Sequence, residues 1–443
     1  MIMMDSTFLK ILPLTIVISL RFFGLFIILP TISLHASSFH DASGLAIGLV
    51  IGLAYFTQFI FQTPFGALSD RFNRNYIIIF GLFIFLIGSI ICGFATDIWH
   101  LILGRALQGA GAIGGIVSAK ISDLSPESKR TKSMALMGAG IFLSFLGALV
   151  LGPIIVAHFG NQSLFFISAV LCVISIIIMF FVPHSPKLSF TSSNVKMSAI
   201  NSNLMIMNLS SFLEKALMTL IFVMLPLLWV KHFNQNASNL WYIYLPAGVV
   251  GIFAMGPASI IAEKYNRPKA VLSFGIACFL VAFLLLGIAN FISVFAGVII
   301  FFIGFATLEP IMQSMVSKFA KAKIRGLALG NFTASAYLGS FVGGFFGSIF
   351  YHIFGLAVIG FIVAFICILW LIVIRFLDDL SLLKIIYIHT NKLKSPTSDL
   401  AILGHLGVKD WYINDNEQLL VIKFDPNIIS QNNLESELES QNA

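Results

Sequence analysis

Long apolar stretches separated by short polar ones run through the chain as far as about residue 377. A bilayer core takes roughly 20 mainly apolar residues per helix. By that measure spans fall at about 9–34, 45–67, 76–96, 98–122, 132–158 and 162–182. A polar stretch at 183–203 follows, then spans at about 204–230, 239–262, 268–289, 292–317, 325–350 and 354–377. The pattern predicts an all-α membrane protein with twelve transmembrane helices in two pseudo-symmetric halves, 1–182 and 204–380, joined by a linker at 183–203. The first apolar run, from Ile11, is too long for a cleavable leader and leads into further spans.

The halves share an internal echo. Asp70-Arg71-Phe72-Asn73-Arg74 returns as Glu263-Lys264-Tyr265-Asn266-Arg267 at one offset (263 − 70 = 193), with each residue replaced in kind. Both copies follow the second span of their half. Repeats of this sort let a carrier hold a site between two halves and expose it to each side in turn.

Basic residues sort to one end of the array. Arg71 and Arg74 follow span 2, Lys129, Arg130 and Lys132 lie after span 4, and Lys187 and Lys196 are in the linker. Lys264, Arg267 and Lys269 follow span 8, and Lys321, Lys323 and Arg325 follow span 10. At the other end only Lys231 lies near a loop. The positive-inside rule then puts both termini in the cytoplasm.

Past residue 380 the pattern changes. Lys384 onward alternates, a short helical pattern covers 397–406, and strand-like runs at Lys409–Asn414 and Gln418–Phe424 flank the turn sequence Asp415-Asn416-Glu417. An acidic helix near 430–440 completes a small βαββα, ferredoxin-like cytoplasmic domain over 381–443, with a possible ligand or partner of its own.

Composition narrows the function. With 58% hydrophobic and 10% charged residues, a mean hydropathy of +0.98 and 45 Phe in 443 residues, no ordinary soluble protein fits. The net charge of +7 suits loops at an anionic leaflet better than nucleic acid. Cys92, Cys172, Cys278 and Cys367 stand singly in apolar stretches, so neither disulfides nor a metal site is expected. No nucleotide loop, zinc constellation or Ser/His/Asp set argues for an enzyme, and no cofactor is expected.

Several motifs resemble those of the major facilitator superfamily. Gly66 to Arg74 is similar to its motif A, G-x-x-x-D-R-x-G-R-[RK], with Asn73 in place of glycine and Asn75 in place of the last base. Asn tolerates left-handed backbone, so Asn73 is expected to keep the turn. The loss of the base at Asn75 weakens the cytoplasmic charge cluster. Leu101 to Gly111, with Gly104-Arg105 and Gln108-Gly109, resembles motif B. Gly147 to Pro153 resembles motif C of proton-coupled antiporters, with Val156 and Ala157 where its trailing glycines would be. Leu20 to Gly24 with Pro30, Ser122-Asp123-Leu124 with Arg130-Thr131-Lys132, and the appended tail look like one bacterial inner-membrane branch of the family.

Candidate site residues follow. Glu309, in Leu308-Glu309-Pro310, and Glu214 are the carboxylates near the midplane, where a protonatable carrier needs an acid whose proton affinity its surroundings can switch. Structural alternatives are that Glu214 pairs with Lys215 and that Glu309 caps the backbone freed by Pro310. Arg105 lies about 10 Å into its helix; the resemblance implies a role in proton coupling through a nearby carboxylate, the alternative being a hydrogen-bond hub tying span 4 to span 1. Arg21 is at mid-depth in span 1 and finds either carbonyls and glutamines such as Gln58, Gln62 or Gln108, or the two glutamates, or an anionic substrate.

For Asp70, Arg71, Arg74 and Asp123 the resemblance implies a cytoplasmic latch. Arg74 would pair with Asp123, and Asp70 would meet helix N-termini of the second half in the outward-open state. Glu263, Lys264 and Arg267 are its second-half echo. Gly152-Pro153 is expected to bend span 5. Together these imply proton-coupled efflux of small amphipathic compounds by alternating access, with small-molecule substrate, protons and the lipid bilayer as partners. The other reading is a membrane sensor acting through its tail.

Overall fold

The computed structural model describes residues 6–183, 201–320, 325–378, 384–389, 407–414, 418–424, 428–430 and 433–434. The first half contains α1 (Ser6–Phe26), the short α2 (Ile32–Ser37), α3 (Gly44–Arg71), α4 (Arg74–Gly93), α5 (Ile98–Ala110), α6 (Gly114–Leu124), α7 (Glu127–Phe159) and α8 (Gln162–Phe180). The second contains α9 (Ser202–Leu227), α10 (Trp241–Glu263), α11 (Pro268–Ile288), α12 (Phe291–Phe319) and α13 (Arg325–Arg375). Among the described residues, eleven helices are long and apolar enough to cross a membrane. A span begins where a polar side chain takes the first free amide: Asp97 accepts from the His100 amide (2.9 Å) and Asn290 from that of Ser293 (2.7 Å).

Two expected spans are built differently, and two others join end to end. Span 1 ends at Phe26, and the chain turns before α2 instead of continuing to residue 34. Span 4 is two helices, α5 and α6, broken at Gly111–Ile113. Spans 11 and 12 run together as α13, but Gly355, at φ +70° and ψ 178°, reverses the chain within it. Fifty-one residues of straight helix would reach about 76 Å, more than two bilayer cores, so the turn at Gly355 lets α13 cross twice.

The two halves meet tightly at the end away from the basic loops. A Cβ at Gly48 of α3 would stand 2.6 Å from the Phe345 carbonyl oxygen of α13, so only glycine admits this approach. Phe56 rests on Phe341 with ring centroids 4.7 Å apart. Phe145 of α7 inserts among second-half aromatics, 5.8 Å from Phe222 and 5.7 Å from Phe305. Gly66 on α3, Gly138 on α7, Gly256 on α10 and Gly330 on α13 have no neighbour where a Cβ would stand, and neither do Gly160 and Gly355 at the other end.

Past the helices, β1 (Lys384–His389), β2 (Val408–Asn414) and β3 (Leu419–Phe424) form an antiparallel sheet in the order β1-β3-β2. Ile386, Leu420, Ile422 and Phe424 pack with Ile429 and Leu434. The expected helix at 397–406 and most of the one at 430–440 lie outside the described residues, as do the turn 415–417 and the linker 184–200.

Candidate functional site

The deep charges of the second half gather on α9 and α12. Lys215 Nζ bonds Glu309 and lies 3.5 Å from a Glu214 carboxylate oxygen. Gln313, one turn beyond Glu309, donates to the other Glu309 oxygen at 3.1 Å. The ammonium also sits 4.6 Å from the centre of the Phe305 ring. Glu214 is fully enclosed, with its carboxyl group against Lys215 and Glu309. The side chains of Lys215 (17% exposed) and Glu309 (24%) are partly exposed.

Both of Glu309's oxygens are thus occupied by side chains, and it does not serve as a cap for the Pro310 break. Lys215, at first only a pairing alternative for Glu214, proves to be the centre of the cluster. The signal was present, because an adjacent Glu-Lys pair deep in an apolar span is costly to bury without a third partner. With both acids ionised, two acids on one base would leave one negative charge in surplus.

The first half handles its deep charges differently. Arg105 donates from Nε to the Val50 carbonyl (3.0 Å) and from Nη1 to Gln108 (2.8 Å), and Gln108 in turn donates to Ser89 (2.9 Å). It is a hub, as one alternative held, but it ties α5 to α3 and α4 rather than to span 1. The partners it bonds are a carbonyl and an amide, not a carboxylate.

Arg21 donates to the Gly111 carbonyl at 3.2 Å, across the break between α5 and α6. With its amide oxygen turned toward Arg21, Gln58 accepts from Nη1 at 3.0 Å and from the Tyr337 hydroxyl at 2.9 Å. Carbonyl and glutamine partners therefore hold Arg21, and Tyr337 links this network to the second half. The break that frees the Gly111 carbonyl, and Tyr337 itself, were not legible as site features.

At the basic-loop end, Arg74 pairs with Asp123 (2.5 Å) and lies 3.7 Å from Asp70 one turn earlier. Asn73 has φ −65° and ψ 124°, extended rather than left-handed. It is the N-cap of α4, accepting from the Asn75 amide at 2.9 Å. In the second copy Asn266 takes the left-handed conformation, at φ +51°. Asn75, in the place of the missing base, bonds the ammonium of Lys120 from α6, which also donates to the Pro183 carbonyl (2.9 Å). A lysine from another helix thus brings positive charge to Asn75.

Arg71 and Glu263, the last residues of α3 and α10, and Lys264 and Arg267 beyond α10 are all exposed. Gly152 lets α7 approach α1, where a Cβ would stand 2.4 Å from the Ile27 carbonyl oxygen. Pro153 lies within the continuous α7. Among the described residues no group of His, Cys, Asp or Glu is placed to hold a metal.

Two helical lobes around a central charged cluster have the build of a membrane transporter. Residues 14–307 and 204–384 match the Major Facilitator Superfamily. The inner membrane transport protein YajR of Escherichia coli (strain K12) is 36% identical over 332 residues, 73% of either chain. The tetracycline resistance protein, class B, of Escherichia coli is 30% identical over 164 residues, 36% of this chain and 40% of the relative. The crystal structure of the nucleoside transporter NupG superposes with a TM-score of 0.67 at 14% identity, covering 83% of this chain and 99% of that one. The chain belongs to the major facilitator superfamily. It is a multi-pass membrane transporter and not an enzyme.

Proposed function

We propose that this transporter exports small amphipathic compounds in exchange for protons. The lobe 1–182 rocks against 204–380 about the central charged cluster. One observation carries the reading: Glu214 and Glu309 share the single cation Lys215 deep in the bundle. With both acids ionised the triad bears one negative charge, and with one proton bound it is neutral. A protein that must cross between two faces can use that difference to bias which face is open. The stretch shared with a protein named for tetracycline resistance supports efflux.

The positive-inside rule places the basic loops and both termini in the cytoplasm, and the tight end on the far side. The conformation described is then inward-open. In the outward-open form Asp70 would meet helix N-termini of the second half, completing a latch that the Arg74–Asp123 pair prepares. The three-stranded sheet is the core of a βαββα, ferredoxin-like cytoplasmic domain that regulates transport without taking part in it.

The test is proton flux in vesicles against a compound panel, comparing wild type with the Glu214→Gln plus Glu309→Gln variant. Proton-coupled movement should disappear while the protein still inserts. Undiminished proton-coupled transport in that double variant would sink the proposal.

A further inference from the structure

We infer that Trp370, near the end of α13, is a positioning residue for the Glu214–Lys215–Glu309 cluster. The inference rests on the proton-exchange reading and adds to it a residue that sets how firmly the two acids are held to their shared lysine.

Trp370 is the largest fully buried side chain among the described residues, at 1% exposed. Its indole takes two partners. Nε1 donates to the Ser210 hydroxyl on α9 at 2.9 Å, and that hydroxyl donates in turn to the Ile206 carbonyl at 2.8 Å. The ring packs on Phe279 of α11, with centroids 6.3 Å apart. A buried indole N–H needs an acceptor placed for it, and Ser210, itself 0% exposed, supplies one inside an apolar helix.

Both contacts lead to the cluster. Ser210 stands one turn before Glu214 on α9. Phe279 stacks on Phe301 of α12, with centroids 4.6 Å apart and planes 11° apart. Phe301 is parallel in turn to Phe305, one turn further along α12, at 6.3 Å. Phe305 stands one turn before Glu309, with the Lys215 ammonium 4.6 Å from its ring centre. Trp370 thus reaches the turn that precedes each acid, one through a hydrogen bond and the other through three buried rings. Close-packed interiors transmit displacement, so the indole's position is felt at both carboxylates.

The same helix pair has a separate fastening. Asn203 of α9 donates to the Asp378 carboxylate at 2.7 Å and accepts from the Asp378 amide at 2.9 Å. This clasp lies about two turns from Ser210, toward the start of α9. Helices α9 and α13 therefore stay paired without the indole bond, and what Trp370 adds is local to the turn that presents Glu214 and Lys215. Pairing with an ammonium favours the ionised form of an acid. Loosening the acids from Lys215 raises the cluster's affinity for a proton.

Infrared titration of the purified, ligand-free, full-length protein tests this. The cluster's signal is the protonated-carboxyl band that wild type shows and Glu214→Gln plus Glu309→Gln lacks, and its midpoint pH is the readout. Trp370→Phe keeps an aromatic ring at the site and removes the N–H donor. It should move the midpoint up by about half a pH unit, the scale set by one neutral hydrogen bond. Ser210→Ala removes the acceptor and should give the same shift, and the two together should shift no further than either alone. Asn203→Ala breaks the clasp at the start of the same helix and should leave the midpoint in place.

A wild-type midpoint in both Trp370→Phe and Ser210→Ala overturns the inference. So does an equal shift in Asn203→Ala, because loosening the helix pair anywhere would then suffice. Either outcome leaves the proton reading standing, whereas a wild type without the band ends that reading and this inference with it.

Discussion

The two halves bury charge by opposite strategies. In the first, Arg21 and Arg105 are sealed from solvent and neutralised by nothing ionic, only by carbonyls and glutamine side chains. In the second, Glu214, Lys215 and Glu309 neutralise one another imperfectly, and two of them are partly exposed. A guanidinium stays charged at any accessible pH, so its network can be a fixed brace. A carboxylate–lysine–carboxylate triad can gain or lose a proton. On the proposed proton exchange, the contrast gives stability to the first half and switching to the second.

The sharpest way to break that assignment is Arg105→Ala. It empties a well-packed site and strands the Val50 carbonyl and the Gln108 amide. The expected loss is about 2–4 kcal/mol of stability, the range for breaking a buried polar network. Thermal unfolding in detergent should show it, and Lys215→Ala should unfold closer to wild type while losing transport. Were Arg105→Ala fully stable and deficient only in proton coupling, Arg105 would belong with the triad, and the division of labour would fail.

What the sequence made legible follows the same contrast. Apolar lengths located most of the helices, because lipid imposes them on composition directly. The repeat at 70–74 and 263–267 located both charged turns. Backbone events inside apolar runs were silent. Gly111-Ala112-Ile113 breaks a span without a proline or a polar residue, whereas the reversal at Gly355 falls beside the gap expected between spans 11 and 12, where Tyr351 and His352 interrupt the apolar run. Glu214 and Glu309 were recognisable as deep acids, but their meeting through Lys215 depends on how α9 faces α12. Asn73 was misread because Asn suits both a left-handed turn and a helix cap, and only the backbone tells which.

Next in size is the pair at the basic-loop end. Arg74→Ala leaves Asp123, whose side chain is 8% exposed, without its 2.5 Å partner. A cost of about 1–3 kcal/mol is expected. A double-mutant cycle with Asp123→Ala should return a coupling of about 1 kcal/mol or more, and additivity within about 0.3 kcal/mol would dissolve the pair.

Tyr337→Phe deletes one hydrogen bond between the halves, worth about 1 kcal/mol. The fold should survive, while the closed end opens more often. Labels placed across that end on α3 and α13 should report a shift of about fivefold in the closed-to-open ratio. An unchanged distance distribution would reduce the Tyr337–Gln58 contact to incidental packing.

The smallest expected effect makes the firmest control. Arg267 occupies the position of Arg74 in the second copy of the repeat, so sequence alone treats the two as equals. The surroundings do not: Arg74 is mostly buried against Asp123, whereas Arg267 lies in an exposed loop ahead of Pro268. Substituting an exposed base away from any buried partner usually changes stability by less than about 0.5 kcal/mol. Arg267→Ala should therefore melt with wild type while Arg74→Ala does not. If both cost the same, Arg267 must find its partner in a conformation where the basic-loop ends have closed, and the asymmetry between the copies would belong to one state of the cycle rather than to the protein.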